Sequence, residues 1–308
     1  ARSQVAAWAG GRPREVIFTG GATEANHLAL RGLQRPGRPL ISAIEHPSVV
    51  EPAALLGAEV VPVDAEGRLD LPALERLLER PTSVVSVMAA NNETGVMQDM
   101  PAIAQRVHAA GSLLHVDAAQ VVGRLPCPAG WDLLTLTAHK AGGLKGVGAL
   151  LVREGIPLSP QVVGGGQERG RRSGTTNAGP IAGLGVVATL SHGAEIRALR
   201  DKLQSAAVAL GGVVTSKGAP RLPNTLNVRF PGIPGDLLVT AMDLEGVCLS
   251  AGSACHSGAA TASAVLRAMG ILTADAVRFS LGWDTGGDDV DGAIIALQAV
   301  LPRLRREL

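Results

Sequence analysis

The chain of 308 residues carries 28 Lys and Arg against 27 Asp and Glu, a formal net charge of +1, with 46% hydrophobic and 18% charged residues. So even a balance offers no electrostatic footprint for nucleic acid or a membrane surface, and no apolar run approaches the roughly 20 residues of a membrane span. The expectation is a cytoplasmic globular protein, large enough for one big core or two domains, whose chemistry is on small molecules. No signal peptide opens the chain, and ARSQVAAWAG reads as a helix already under way at Ala1, so a natural N-terminal segment is expected to precede it.

After that helix, Glu15–Thr19 is a β-branched run ending in Gly20-Gly21-Ala22-Thr23-Glu24 ahead of the helical pattern ANHLALRGL. Such a strand, glycine turn and helix start favours a phosphate on its backbone N–H groups; Thr23 is either a hydroxyl donor to that anion or a plain N-cap. The alternation then continues with strands near 39–43, 59–63 and 83–88 and helices near 48–56 and 71–79, predicting helices over a mostly parallel sheet. Ligands of such sheets gather at the C-terminal strand ends. Polar residues stand there repeatedly: His46, Asn91-Asn92-Glu93, and Asp117 with Gln120. Each alone fits a cap or turn; their recurrence at equivalent positions points to a site. Asp117, closing an apolar strand, needs a cationic or donor partner, and a protonated pyridine nitrogen would satisfy it.

The run Leu134–Thr137 delivers His139 and Lys140 into the glycine-rich turn Ala141-Gly142-Gly143. Only four of the 28 basic residues are lysines (Lys140, Lys145, Lys202 and Lys217). A primary amine condenses with an aldehyde where an arginine cannot, so Lys140 is the candidate anchor of a carbonyl cofactor. Beyond a strand at 147–152, the loop 164–177 is basic and glycine-rich through Arg169, Arg171 and Arg172, and reads as an anion clamp, a subunit interface or solvated charge. A long helical pattern from Pro180 to about Leu210 then leads into a different rhythm. Strands near 212–215, 224–230, 247–249 and 276–280 mix with helices near 235–243, 262–269 and 286–301, predicting a smaller α+β domain. An odd cysteine count favours thiols over disulfides. Cys248, in the predicted apolar strand 247–249, reads as buried and structural, and Cys127, between prolines, as a turn residue. Cys255, in SAGSACHSGAA, reads as an exposed, reactive thiol.

Taken together, FTGGATEAN, EHPSVV, NNETGVMQD, HVDAAQ, the His139-Lys140 pair, GGGQERGRRSGT, SAGSACHSG and VRFSLG resemble the cysteine desulfurases, pyridoxal-phosphate enzymes of the class V aminotransferase superfamily, over essentially the whole chain. The cysteine loop resembles the group in which that loop is longer and mobile. The resemblance implies a PLP-dependent transferase fold of type I, with a large PLP-binding domain over 1–194 and a small C-terminal domain over 195–308 that carries the catalytic cysteine. It implies that Lys140 binds pyridoxal 5′-phosphate covalently, that Asp117 pairs with the pyridine nitrogen, that Gln120 bonds the ring oxygen and that His46 stacks on the ring and transfers protons. Ala22 is implied to bind the cofactor, and phosphate contacts are implied for Thr23, Thr137 and His139, and for Thr175 from the other subunit of a homodimer. Asn92, beside the cofactor, and Arg278 are implied to orient the carboxylate of L-cysteine, and Cys255 to accept its sulfur as a persulfide for an acceptor protein in iron–sulfur cluster assembly or tRNA thiolation. No metal site is expected.

The sequence departs from the family pattern at Thr137-Ala138 and at Ala141–Leu144, and its tail after the last helix is short, which bears on docking of a carrier. A selenocysteine lyase, or another enzyme of this fold, would keep Lys140 and Asp117 without needing Cys255. A non-catalytic scaffold would have lost these residues, and none is lost. A dinucleotide-binding protein would need GxGxxG after the first strand and an acidic residue about 20 positions on, which is not found.

Overall fold

The computed structural model describes residues 1–191, 193–251 and 262–308. They divide into two compact units, one made of Ala1–Val63, Leu69–Ala90 and Gln98–Ser191, the other of Asp64–Arg68, Asn91–Met97 and His192–Leu308. The second unit thus takes in two short segments from well before residue 195.

In the first unit, α1 (Arg2–Ala9) precedes β1 (Val16–Thr19), α2 (Ala22–Arg31), β2 (Arg38–Ser42), α3 (Pro47–Ala54), β3 (Glu59–Val61), α4 (Leu71–Leu78) and β4 (Thr82–Met88). There follow α5 (Met100–Ala109), β5 (Leu113–Asp117), β6 (Leu133–Thr137), β7 (Gly148–Val152) and α6 (Ala178–Val187). The seven strands form one sheet in the order β1-β7-β6-β5-β4-β2-β3, parallel except that β7 runs against both of its neighbours. All seven residues of β4 and all five of β6 are buried, the pattern of strands covered on both faces. Ile17, Leu28, Ile41, Val49, Leu133 and Leu150 form the core between the sheet and α2 and α3. Prolines in the first turn and acceptor caps start the helices: Asp70 takes the Ala73 N–H at 2.9 Å for α4, and Asp99 takes that of Ala102 at 3.1 Å for α5.

The second unit contains α7 (Gly193–Ala209), β8 (Val213–Val214), β9 (Thr225–Arg229), α8 (Gly235–Leu244), α9 (Ala264–Ala268), β10 (Ala276–Ser280) and α10 (Gly287–Glu307). Its antiparallel sheet, ordered β10-β9-β8, packs Val228, Phe230 and Val277 against Leu203, Leu238, Leu297 and Leu301 from the helices. Phe230 is fully buried, and truncating such a side chain costs about 3–5 kcal/mol.

Two expectations are corrected, and one helix is added. The helical stretch from 180 to 210 is two helices, because α6 ends at Val187 and α7 begins at Gly193. α5 answers no predicted element: Asp99 caps it and Pro101 stands in its first turn. Residues 247–249 form no strand: the backbone reaches the sheet edge only through an isolated bridge between Ser250 and Arg278, and Cys248 is exposed, not buried. Among the described residues no helix is long and apolar enough to cross a membrane.

Candidate active site

The C-terminal ends of β2, β5 and β6 and the β1–α2 turn gather the polar residues of the first unit. Parallel pairing sets Asp117, the last residue of β5, opposite Met88 of β4 and Thr135 of β6. Its carboxylate is 5% exposed; Oδ1 accepts the Ala119 N–H at 2.9 Å and Oδ2 accepts the Asn26 amide at 2.8 Å. Burial pushes this carboxyl upward from its ordinary range. The Ala119 and Asn26 donors and the nearby charges of His46 and Lys140 pull it back. A cation brought against this buried acid would favour its anion.

His46 follows the β2 end and caps α3, its Nδ1 lying 3.1 Å from the Ser48 N–H and 2.8 Å from Ser48 Oγ. The ring is half-buried; desolvation lowers its proton affinity, Asp117 raises it and Lys140 lowers it. Ser48 Oγ receives the second hydrogen of the Asn26 amide at 2.9 Å, so Asn26 ties Asp117 to the His46 cap. Behind Asp117, Glu45 is 5% exposed, its Oε1 accepting the Met88 N–H at 2.7 Å.

Lys140 lies on the exposed one-turn 3-10 segment His139–Ala141 that follows β6, and its carbonyl accepts from the Arg124 guanidinium. Gly142, at φ 81°, closes that turn in a conformation that favours glycine. Thr137 is fully buried, donates its hydroxyl to the Val147 carbonyl at 2.9 Å, and meets His139 Nδ1 at 3.0 Å. Since the one hydroxyl hydrogen is spent on that carbonyl, Thr137 acts by holding His139. Burial and the charges of Lys140 and Lys145 lower His139's proton affinity.

The N-terminus of α2 has Gly21 as its cap, with no side-chain hydrogen bond, so its first-turn N–H groups are offered outward. Thr23 is exposed and is the second residue of the helix rather than its N-cap. A Cβ on Gly148 of β7 would stand 2.6 Å from the Gly21 carbonyl carbon, so only glycine lets this turn lie against the sheet. An anion-ready helix start, a buried carboxylate, a half-buried imidazole and a lysine at the next strand end fit a group that is anionic at one end, cationic at a ring nitrogen and an aldehyde at the carbon between. Gln120 is half-buried after β5, and Thr175 is exposed in the 171–177 loop. The arginines of that loop spend donors within the chain: Arg172 pairs with Glu24 at 2.7 Å, and Arg171 reaches the Arg14 carbonyl at 2.7 Å.

In the second unit, Arg278 of β10 donates from Nη1 to the Asn92 carbonyl at 2.8 Å and from Nη2 to Ser250 Oγ at 3.2 Å. Its buried Nε has no partner among the described residues. Asn92 therefore meets Arg278 through its backbone. Cys255 lies outside the described residues. Sequence reasoning missed Asn26, Glu45, Ser48 and His115; the signal for Asn26 is an amide between Ala25 and Leu28 on the buried face of α2.

The family model for class-V aminotransferases matches residues 1–292. A cysteine desulfurase of Gluconacetobacter diazotrophicus is 41% identical over 330 aligned residues, covering 99% of this chain and 82% of the relative. Among solved structures, a NifS-like protein from Rickettsia africae superposes with a TM-score of 0.89 at 30% identity, over 98% of this chain and 86% of its own. SspA in complex with cysteine superposes with a TM-score of 0.80 at 30% identity, over 91% and 85%.

Proposed function

The chain belongs to the class-V aminotransferase family, and from that premise we propose that it is a cysteine desulfurase dependent on pyridoxal 5′-phosphate. The observation that carries the reading is Asp117, a buried carboxylate one strand away from the turn that holds Lys140. The relative named cysteine desulfurase and the related structure with cysteine support the substrate.

When bound, the cofactor supplies an electron sink for a substrate carbanion. Lys140 Nζ would hold it covalently and, as a free amine, would take the Cα proton of the substrate. Asp117, whose anion the Ala119 and Asn26 donors favour against the upward push of burial, would pair with a protonated ring nitrogen. Gln120 would donate to the ring oxygen, and His46 would lie against the ring. The α2 start at Ala22 and Thr23, His139 braced by Thr137, and Thr175 from a second copy hold the phosphate. Arg278, with Asn92 behind it, takes the substrate carboxylate. The Cys255 thiolate attacks the substrate sulfur: a sulfur–sulfur bond forms, the Cβ–S bond breaks, and its electrons with a proton leave L-alanine. The persulfide passes to an acceptor protein.

Purified protein given pyridoxal phosphate should develop a visible band that shifts with L-cysteine, and should release alanine. Cys255→Ser should keep the spectral shift and lose alanine release. Turnover of Cys255→Ser at the wild-type rate, or release from selenocysteine alone, would replace the desulfurase with a lyase.

A further inference from the structure

We propose that Asn26 and Ser48 are positioning residues that fix His46 as the Nε2–H tautomer and couple it to the ionised state of Asp117. The direction of each hydrogen bond follows from what each atom has to give. The Ser48 backbone N–H, 3.1 Å from His46 Nδ1, is a donor only, so Nδ1 is an acceptor and carries no hydrogen. The neutral ring then bears its proton on Nε2. Ser48 Oγ lies 2.8 Å from the same Nδ1 and 2.9 Å from Asn26 Nδ2. An amide nitrogen donates, so the hydroxyl accepts from Asn26 and turns its own hydrogen to Nδ1. The other Asn26 hydrogen goes to Asp117 Oδ2 at 2.8 Å. Turning the Asn26 amide over would set its carbonyl against the Asp117 carboxylate, losing that bond, and would draw the Ser48 hydroxyl hydrogen away from Nδ1 to the amide oxygen. An ionised Asp117 therefore selects this orientation, and the orientation selects the Ser48 hydroxyl direction. Asn26 is fully buried, and its Oδ1 has no partner among the described residues, so the amide is held by its donors alone.

The helix adds to this. His46 is the N-cap of α3, a place where Asp, Asn, Ser or Thr is usual, and Pro47 behind it has no N–H to offer. A cap must accept, and the positive end of the helix dipole opposes a second proton on the ring. Facing charges act in both directions: Asp117 from β5 favours the cation, Lys140 from the turn after β6 disfavours it, and Glu45 is held by the Met88 N–H. The result is an imidazole that presents an N–H at Nε2, the ring nitrogen left to a bound ligand. The tautomer is a property of the fold alone; its part in catalysis rests on the desulfurase reading.

The test is long-range proton–nitrogen NMR of protein labelled with nitrogen-15 at its seven histidines, with and without pyridoxal phosphate, with the His46 signal assigned through His46→Gln. The expected spectrum shows Nδ1 without and Nε2 with a hydrogen in the neutral ring, titrating below the ordinary imidazole range. Ser48→Ala removes a bond made only to the neutral ring, so the His46 titration moves upward; Ser48→Thr, which restores the hydroxyl, returns it. In turnover, the limb of the kcat/KM profile that reports His46 moves the same way in Ser48→Ala and is rescued in Ser48→Thr. A hydrogen on Nδ1 in the wild type, or a His46 titration that ignores Ser48→Ala, overturns the proposal even if alanine is released. Absence of alanine release with the expected tautomer overturns the desulfurase reading instead.

Discussion

Glu45 and Asp117 meet at one buried strand end, because the Glu45 carboxyl is anchored on the Met88 N–H at 2.7 Å and Met88 is the residue paired with Asp117 across β4 and β5. Burial pushes Glu45 well above the usual carboxylate range, the Met88 donor opposes this, and the Asp117 charge adds to it. A proton on this pair is therefore favoured at Glu45 by the Asp117 charge, while a cation beside Asp117 favours the charge there.

Stability against pH should show this. Both carboxyls bind protons more tightly folded than unfolded, so the stability they contribute is full below about pH 4, where the unfolded chain is also protonated, and is lost as pH rises through their folded values. Chemical denaturation of cofactor-free protein between pH 4.5 and neutrality isolates the Glu45 share of the slope as the difference between wild type and variant, because the buried neutral His115 contributes with the opposite sign. Glu45→Gln, which cannot ionise, should show the less negative slope of the two. Parallel curves would mean that Glu45 holds its proton no more tightly in the fold than in the unfolded chain.

Asp117→Asn removes the charge but offers one oxygen to two donors, so its NH2 is set against either the Ala119 N–H or the Asn26 amide. The cofactor-free variant should lose about 1–3 kcal/mol for that unpaired donor, offset by removal of the buried charge, while kcat should fall about 10²–10³-fold, the scale of losing one preorganised charge-stabilising group. Unchanged kcat together with unchanged cofactor affinity would remove Asp117 from the site.

The strand ends were legible because apolar runs stopped at Asp117, Thr137 and His46, and the structure puts all three at or just beyond the ends of parallel strands. Lys140 was legible through the glycine turn behind it. What the sequence hid lies in hydrogen-bond direction and in side chains that look apolar by position. Asn26 shares a helix face with Ala25 and Leu28, and Ser48 sits in the first turn of α3, where a serine is unremarkable. Cys248 was misread because the Val-Cys-Leu triplet has strand composition, although only Ser250 reaches the sheet and leaves the thiol outside.

His115, two residues before Asp117 on β5, is fully buried between Ser86 Oγ at 2.8 Å and Thr135 Oγ1 at 3.0 Å. Desolvation lowers its pKa to about 3. The unfolded chain binds this proton from about pH 6.5 downward while the fold refuses it, so stability should fall with acidification across that window, by an amount on the order of 5 kcal/mol from this group. His115→Gln, which keeps a donor and an acceptor for the two hydroxyls, should flatten the acid side of the curve. An unchanged acid slope would mean that His115 is protonated inside the fold.

The last prediction isolates Arg278. Its Nη1 is committed to the Asn92 carbonyl, which fixes the plane of the guanidinium, and its Nε edge is buried without a partner among the described residues. A buried donor left unpaired costs about 1–3 kcal/mol, and a carboxylate lying along the Nε and Nη2 edge would relieve that cost with two charge-assisted bonds. Lysine keeps the charge but cannot present a planar pair of donors. Arg278→Lys should therefore raise KM for L-cysteine about 10- to 100-fold, the equivalent of one such bond, with a smaller change in kcat because the contact exists before and during the reaction. Cysteamine has the same amine and thiol and no carboxylate, so it tests the geometry directly. Spectral titration should find cysteamine binding the wild type and Arg278→Lys alike, each more weakly than the wild type binds L-cysteine. Equal loss of cysteamine and L-cysteine affinity in the variant would show that Arg278 supports the fold of β10 and its neighbours and does not hold the substrate carboxylate.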